Sequence, residues 1–162
     1  MSMILFTLCL NPLIWRLERD LQGIEIVGKA KTAVVAYADE LTIFLTDPRE
    51  IPKLEESLQW YARASGATLN VRKSKAMALG TWDTSVNVIN IPYTPRMTIL
   101  GFTYTSSIAK SSQASWDRAT GIIRGMAKES YGTDLCLTQR VRYVQVYFLA
   151  KIWHIAQVFP IT

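Results

Sequence analysis

Two apolar, β-branched runs, residues 32–37 (Thr-Ala-Val-Val-Ala-Tyr) and 41–45 (Leu-Thr-Ile-Phe-Leu), stand only three residues apart. A chain bridges so short a gap between two strands by doubling back, so the spacing predicts a hairpin with Asp39 and Glu40 near its tip. Adjacent like charges on a stiff tip repel each other, and such a pair suits a hard divalent cation. Mg²⁺ is commonly held by one or two carboxylates and completes its shell with water and phosphate oxygens. The chemistry that uses this arrangement is phosphoryl or nucleotidyl transfer. Taken alone, the pair also reads as an ordinary acidic turn.

The elements around the hairpin follow from local signals. Residues 2–20 read as a helix, apolar almost all round at first and amphipathic later, with Pro12 predicting a kink or break near Asn11. Residues 23–28 alternate between bounding glycines and predict a short strand. Asp47-Pro48, with Glu50 three positions after the cap, opens a helix over 48–65 that Gly66 stops. Beyond it come an extended stretch at 67–71, a basic turn at 72–75 and a strand at 76–79. Residues 86–91 and 97–105 read as a further pair of strands, joined through Pro92 and Pro95. From Ser112 the pattern turns helical, with one helix around 116–126 and a long one over 138–158 ended by Pro160.

The fold class is therefore α+β. The hairpin of 32–45 and the strands at 76–79 and 97–105 are expected to form one antiparallel sheet backed by the helices of 2–20 and 48–65. The serine-rich stretch at 106–114 reads as a linker, dividing the chain into domains 1–109 and 110–162.

Composition narrows the partners. With 49% hydrophobic and 19% charged residues the chain is not disordered. No stretch of about 18 residues is free of charge, so no spanning helix and no membrane partner are expected. The apolar start lacks a basic leader and a small-residue cleavage site, which leaves an intracellular location as the expectation. Cys9 and Cys136 match no metal or disulfide spacing and read as buried free thiols. The net charge is +5, and residues 110–162 hold seven of the basic side chains but three of the acidic ones. A basic terminal third is compatible with a polyanion, whose neutralised phosphates release counterions.

Four segments, in order, resemble the reverse transcriptase domain of non-LTR (LINE-type) retrotransposons. Ser2-Met3-Ile4-Leu5-Phe6 with Leu10-Asn11-Pro12-Leu13 is similar to the tail of that family's template-contacting motif and the helix after it. Tyr37-Ala38-Asp39-Glu40 resembles its Y-A-D-D motif. Gly66 with Leu69-Asn70-Val71-Arg72-Lys73-Ser74 is similar to its later G-L-x-L-N-x-x-K-[ST] motif, and Leu100-Gly101-Phe102 to its primer grip.

The resemblance implies the C-terminal part of a polymerase palm followed by a helical thumb, with Mg²⁺ (or Mn²⁺) as cofactor. It implies an RNA template, a DNA primer and, in a complete enzyme, a dNTP as partners. Asp39 takes the place of a metal-binding aspartate, with Glu40 in that of its neighbour. Lys73 stands near the incoming phosphates as a catalytic candidate. Ser2, Gly101, Arg118, Arg124, Arg140 and Arg142 are nucleic-acid-binding candidates, while Trp116, Tyr143 and Trp153 read as core and His154 receives no role.

Two departures matter. Glu40 carries one more methylene than the expected aspartate, which disturbs a metal site that wants near-ideal geometry. The family's first catalytic aspartate, which lies in an earlier strand, and its fingers region have no counterpart in these residues. The expectation is a piece that is inactive alone, with an unprotected sheet edge that favours self-association. The alternative is a non-catalytic nucleic-acid-binding or structural remnant.

Overall fold

The computed structural model describes residues 3–26 and 31–160. The chain falls into two units, Met1–Ala76 with Asp83–Pro92 and Met77–Trp82 with Tyr93–Thr162. Ser2 and residues 27–30, which include the end of the strand expected at 23–28, lie outside the described residues.

In the first unit, α1 (Met3–Asp20) and the residue after it carry Leu10, Leu13, Leu17 and Leu21 at spacings of three and four. They form one stripe, which packs against Ala33, Val34 and Leu54. The helix continues through Pro12 without the expected break. In its first turns Ile4, Leu5 and Leu8 are all more than half exposed, while Phe6 packs against the core. Cys9 is exposed rather than buried, and so is Cys136, which stands at the N-cap of the helix Leu137–Tyr143.

Short strands follow: β1 (Ile24–Glu25) pairs with β2 (Lys31–Thr32), and β3 (Val34–Tyr37) with β4 (Glu40–Ile43), both antiparallel. Ala33 interrupts the run because Glu18 of α1 takes a partner strand's place there. The Glu18 carboxylate accepts from the N–H groups of Ala33 and Val34 at 2.9–3.2 Å. A helix side chain thereby satisfies strand donors that would otherwise need a backbone partner.

The helix expected at 48–65 is present as a 3₁₀ turn (Pro48–Glu50) running into α2 (Ile51–Ser65). Asp47 accepts from the Arg49 N–H, Glu50 completes the reciprocal box, and Gly66 closes the helix at φ +73°. Glu50 does more than cap. It is buried, and its two oxygens accept from the backbone N–H groups of Gln22, Thr46 and Asp47 and from the Thr46 hydroxyl. Burial pushes its carboxyl up, but these donors outweigh burial and hold it below the usual range. Arg16 ties α1 to α2 through Glu56 (2.7 Å) and the fully buried Ser57 (3.1 Å).

Two expected strands do not form. Residues 76–79 contribute one bridge residue, Ala76, whose N–H donates to the Pro92 carbonyl at 3.1 Å. Residues 86–91 are a chain of turns. Asp83 and Asn87 draw the N–H groups of Ser85 and Asn90 to their side chains, and Ile89 and Asn90 adopt positive φ. Local side-chain acceptors of this kind compete with a ladder and here they win.

In the second unit, residues 97–105 are not one strand but most of a hairpin. β5 (Arg96–Ile99) turns at Leu100-Gly101 into β6 (Phe102–Thr105). Both turn residues have positive φ (+49° and +87°), as a two-residue hairpin of primed type requires. Each sheet among the described residues is thus a separate pair, and the single palm-like sheet is not formed.

The serine-rich stretch is no linker either. It begins α3 (Ile108–Ser130), so the expected boundary at 109–110 falls inside a helix. The buried Ser111 and Ser115 lie one turn apart and accept from the N–H groups of Thr105 and Thr103 at 2.8 and 2.9 Å. This covers the outer edge of β6. α4 (Leu137–Tyr143), a π-helical segment (Val144–Leu149) and α5 (Ala150–Ala156) realise the long second helix. Phe102, Ala119, Ile155 and Phe159 form the core of this unit, with Tyr104 and Trp116 against it. No described helix is long and apolar enough to cross a membrane.

Candidate nucleic-acid interface

The β3–β4 hairpin places its acidic pair more finely than sequence spacing does. Tyr37 pairs with Glu40, so the loop is only Ala38-Asp39 and Glu40 is the first residue of β4. Ala38 takes the positive φ (+53°) that so tight a turn demands. Val34, Ala36, Leu41 and Ile43 share one face, and Val34, Leu41 and Ile43 reach the core. Glu40 therefore lies with Val35, Tyr37 and Thr42 on the opposite, outer face. Asp39 and Glu40 are both exposed.

Two carboxylates at a tip are a donor set that a single Mg²⁺ can use together with phosphate oxygens. Among the described residues no group of three or more His, Cys, Asp or Glu side chains is placed to hold a metal ion. Lys73 sits in a separate turn, exposed, with its N–H held by the carbonyl and side chain of Asn70. No ion pair joins it to Asp39 or Glu40 among the described residues, so the three catalytic candidates are not brought together by direct contact.

The basic residues of the second unit group differently. Arg118 on α3 and Gly101 in the β5–β6 turn line one pocket of about 220 Å³, together with Lys151 and His154 of α5. Arg140 lies elsewhere, in a second recess of about 530 Å³ with Tyr131, Tyr143 and Phe148, and its guanidinium donates to the Leu135 carbonyl at 2.8 Å. Arg124 and Arg142 are exposed on α3 and α4.

The aromatic expectations divide. Trp116 packs on the core and donates to the Pro160 carbonyl at 3.1 Å, and Tyr143 is half-buried. Trp153 is 65% exposed and is not core, since the buried side of α5 is the Ile155 side.

All four ion pairs among the described residues involve arginines of the first unit, Arg16, Arg19 and Arg49. No cation of the second unit has such a partner among the described residues.

Two residues of this surface carry no motif signal. Lys151 counts in the basic excess, and its spacing of three from His154 places both on one helix face. That spacing is the trace sequence offers. Their meeting with Arg118 and Gly101 depends on the packing of α3, α5 and the hairpin.

Searches of protein-family models, curated proteins and solved structures find no match to this chain.

Proposed function

We propose that the chain is a palm–thumb piece of the reverse transcriptase type, which binds an RNA–DNA hybrid through its second unit. The observation that carries this reading is the uncompensated charge there: Arg118, Arg124, Arg142 and Lys151 face solvent without an acidic partner among the described residues. Long-range attraction and counterion release turn such a surface into affinity for a phosphate backbone. The ordered motifs from Ser2 to Phe102, with Asp39 at a hairpin tip, supply the link to a polymerase.

A second reading, a binding module without chemistry, is favoured by the tip itself. Asp39 and Glu40 have no third carboxylate beside them among the described residues, and Lys73 forms no ion pair with either. A bound cation would supply charge neutralisation for phosphate oxygens. What the chain's own residues do is present Asp39 on a two-residue turn with Glu40 at the start of β4 beside it.

Primer extension by the purified chain on an RNA template, with Mg²⁺ or Mn²⁺, separates the two readings. The expected result is hybrid binding without extension. Extension that disappears on Asp39→Ala establishes retained catalysis and removes the second reading.

A further inference from the structure

We infer that the pocket between the β5–β6 turn, α3 and α5 is a seat for one phosphoryl group, held by Arg118 and Lys151 and shaped by His154. The inference rests on the polyanion reading of the second unit and names the point at which a phosphate docks.

The pocket joins two kinds of wall. Arg118 and Lys151 line it from different helices, and neither has an acidic partner among the described residues. No Asp or Glu lines the space. Of its apolar lining Ala119 and Ile155 are buried, while Leu100 and Ile122 are exposed, and a lower local polarity on the buried side strengthens attraction to an anion. Arginine suits phosphate because its fork donates to two oxygens at once, with lysine adding a mobile point charge.

His154 is the positioning residue. Its Nε2 lies 2.9 Å from the Leu100 carbonyl, which can only accept, so Nε2 carries the proton and donates. Its ring stacks on Phe102 with centroids 4.4 Å apart. These two contacts pin the tight turn against α5. Gly101 suits the same contact: its φ of +87° strains any L side chain, and a Cβ there would lie a tight 3.1 Å from His154 Nε2. The glycine of the primer-grip-like segment thus makes room for a histidine of this chain.

The chain holds one histidine, so its imidazole gives a single, unambiguous NMR signal. The test titrates inorganic phosphate into the full chain at fixed pH and ionic strength while that signal is followed. A saturable shift is expected, weakened at least tenfold in Arg118→Gln and in Lys151→Gln and unchanged in Lys53→Gln, an exposed lysine of α2 in the first unit. Circular dichroism checks that each variant is folded.

No saturable shift, or an equal shift in the Arg118 and Lys151 variants, overturns the inference. A short RNA–DNA hybrid forms the second arm. If the hybrid binds and leaves the His154 signal in place, the pocket assignment falls while the polyanion reading stands. If phosphate moves the signal and the hybrid does not bind, the pocket stands as a seat for a free phosphate group and the polyanion reading falls.

Discussion

Glu50 offers the sharpest test of how the first unit is held together. Its carboxylate is 3% exposed and takes three backbone N–H groups and one hydroxyl, joining the end of α1, the exit of β4 and the start of α2. Glu50→Ala leaves the donors of Gln22, Thr46 and Asp47 facing a cavity. Each stranded buried donor costs roughly 1–3 kcal/mol, and partial hydration through the cavity returns some of it, so a loss of about 3–5 kcal/mol is expected. Glu50→Gln keeps one acceptor oxygen. Placed on the side of Thr46 and Asp47, it turns its amide N–H₂ toward the Gln22 N–H, and the loss is about 2 kcal/mol.

The pH dependence follows from the depressed carboxyl. Burial raises its pKa, but the Gln22, Asp47 and Thr46 donors together lower it further, so the folded value lies below the unfolded one. Its stabilising contribution is therefore complete above the unfolded carboxylate range, at about pH 4.3, and is lost as pH falls through the folded value. Urea unfolding at pH 7 and pH 3, with amide exchange at Gln22, Thr46 and Asp47, measures both effects. Wild-type protein should lose more stability than Glu50→Gln between the two pH values. Equal losses, or a Glu50→Gln variant within about 0.5 kcal/mol of wild type at pH 7, refute this role for Glu50.

Three further outcomes can be measured with the same assays. Leu17→Ala empties the centre of the first core, where Leu17 is 0% exposed, and should cost about 2–5 kcal/mol in urea unfolding. Ser115→Ala strands the buried Thr103 N–H, whose acceptor at 2.9 Å is the Ser115 hydroxyl. A loss of about 1–3 kcal/mol and faster exchange at Thr103 are expected, while Gln113→Ala on the exposed side of α3 serves as a neutral control. Gly101→Ala forces a side chain to φ +87° and crowds His154, so a loss of about 1–2 kcal/mol should accompany a displaced imidazole signal.

The parts of the fold legible in the sequence are those whose signals are local. The acidic hairpin follows from two β-branched runs and a short gap. The start of α2 follows from Asp47, Pro48 and Glu50 within four positions, and its end from Gly66. The strand misread at 86–91 is undone locally by the side chains of Asp83 and Asn87, whereas other misreadings come from contacts outside the segment itself. Residues 97–105 look like one strand because Leu100 is an unusual turn residue, held at positive φ by a hairpin that His154 fastens from 54 positions away. The stretch 106–112 looks like a linker by composition, yet Ser111 serves the edge of β6 as a backbone would.

The site divides in the same way. Asp39 is legible as a tip residue, whereas Glu40 belongs to the strand because register, which composition does not reveal, pairs it with Tyr37. Arg118 is recognisable as a basic helix residue. Its pocket is not, since Gly101, Arg118 and Lys151 meet only after two helices and a hairpin have packed.

The claim that the second unit is an RNA–DNA hybrid surface is tested most directly by fluorescence anisotropy of a labelled hybrid across a salt series. Each phosphate contact contributes about −0.9 to the slope of log affinity against log salt on a duplex of B-DNA type. A clearly negative slope is expected for the wild-type chain, made shallower when Arg118, Arg124, Arg142 and Lys151 are changed together to Gln. A slope near zero, or one that the fourfold variant leaves unaltered, contradicts the claim.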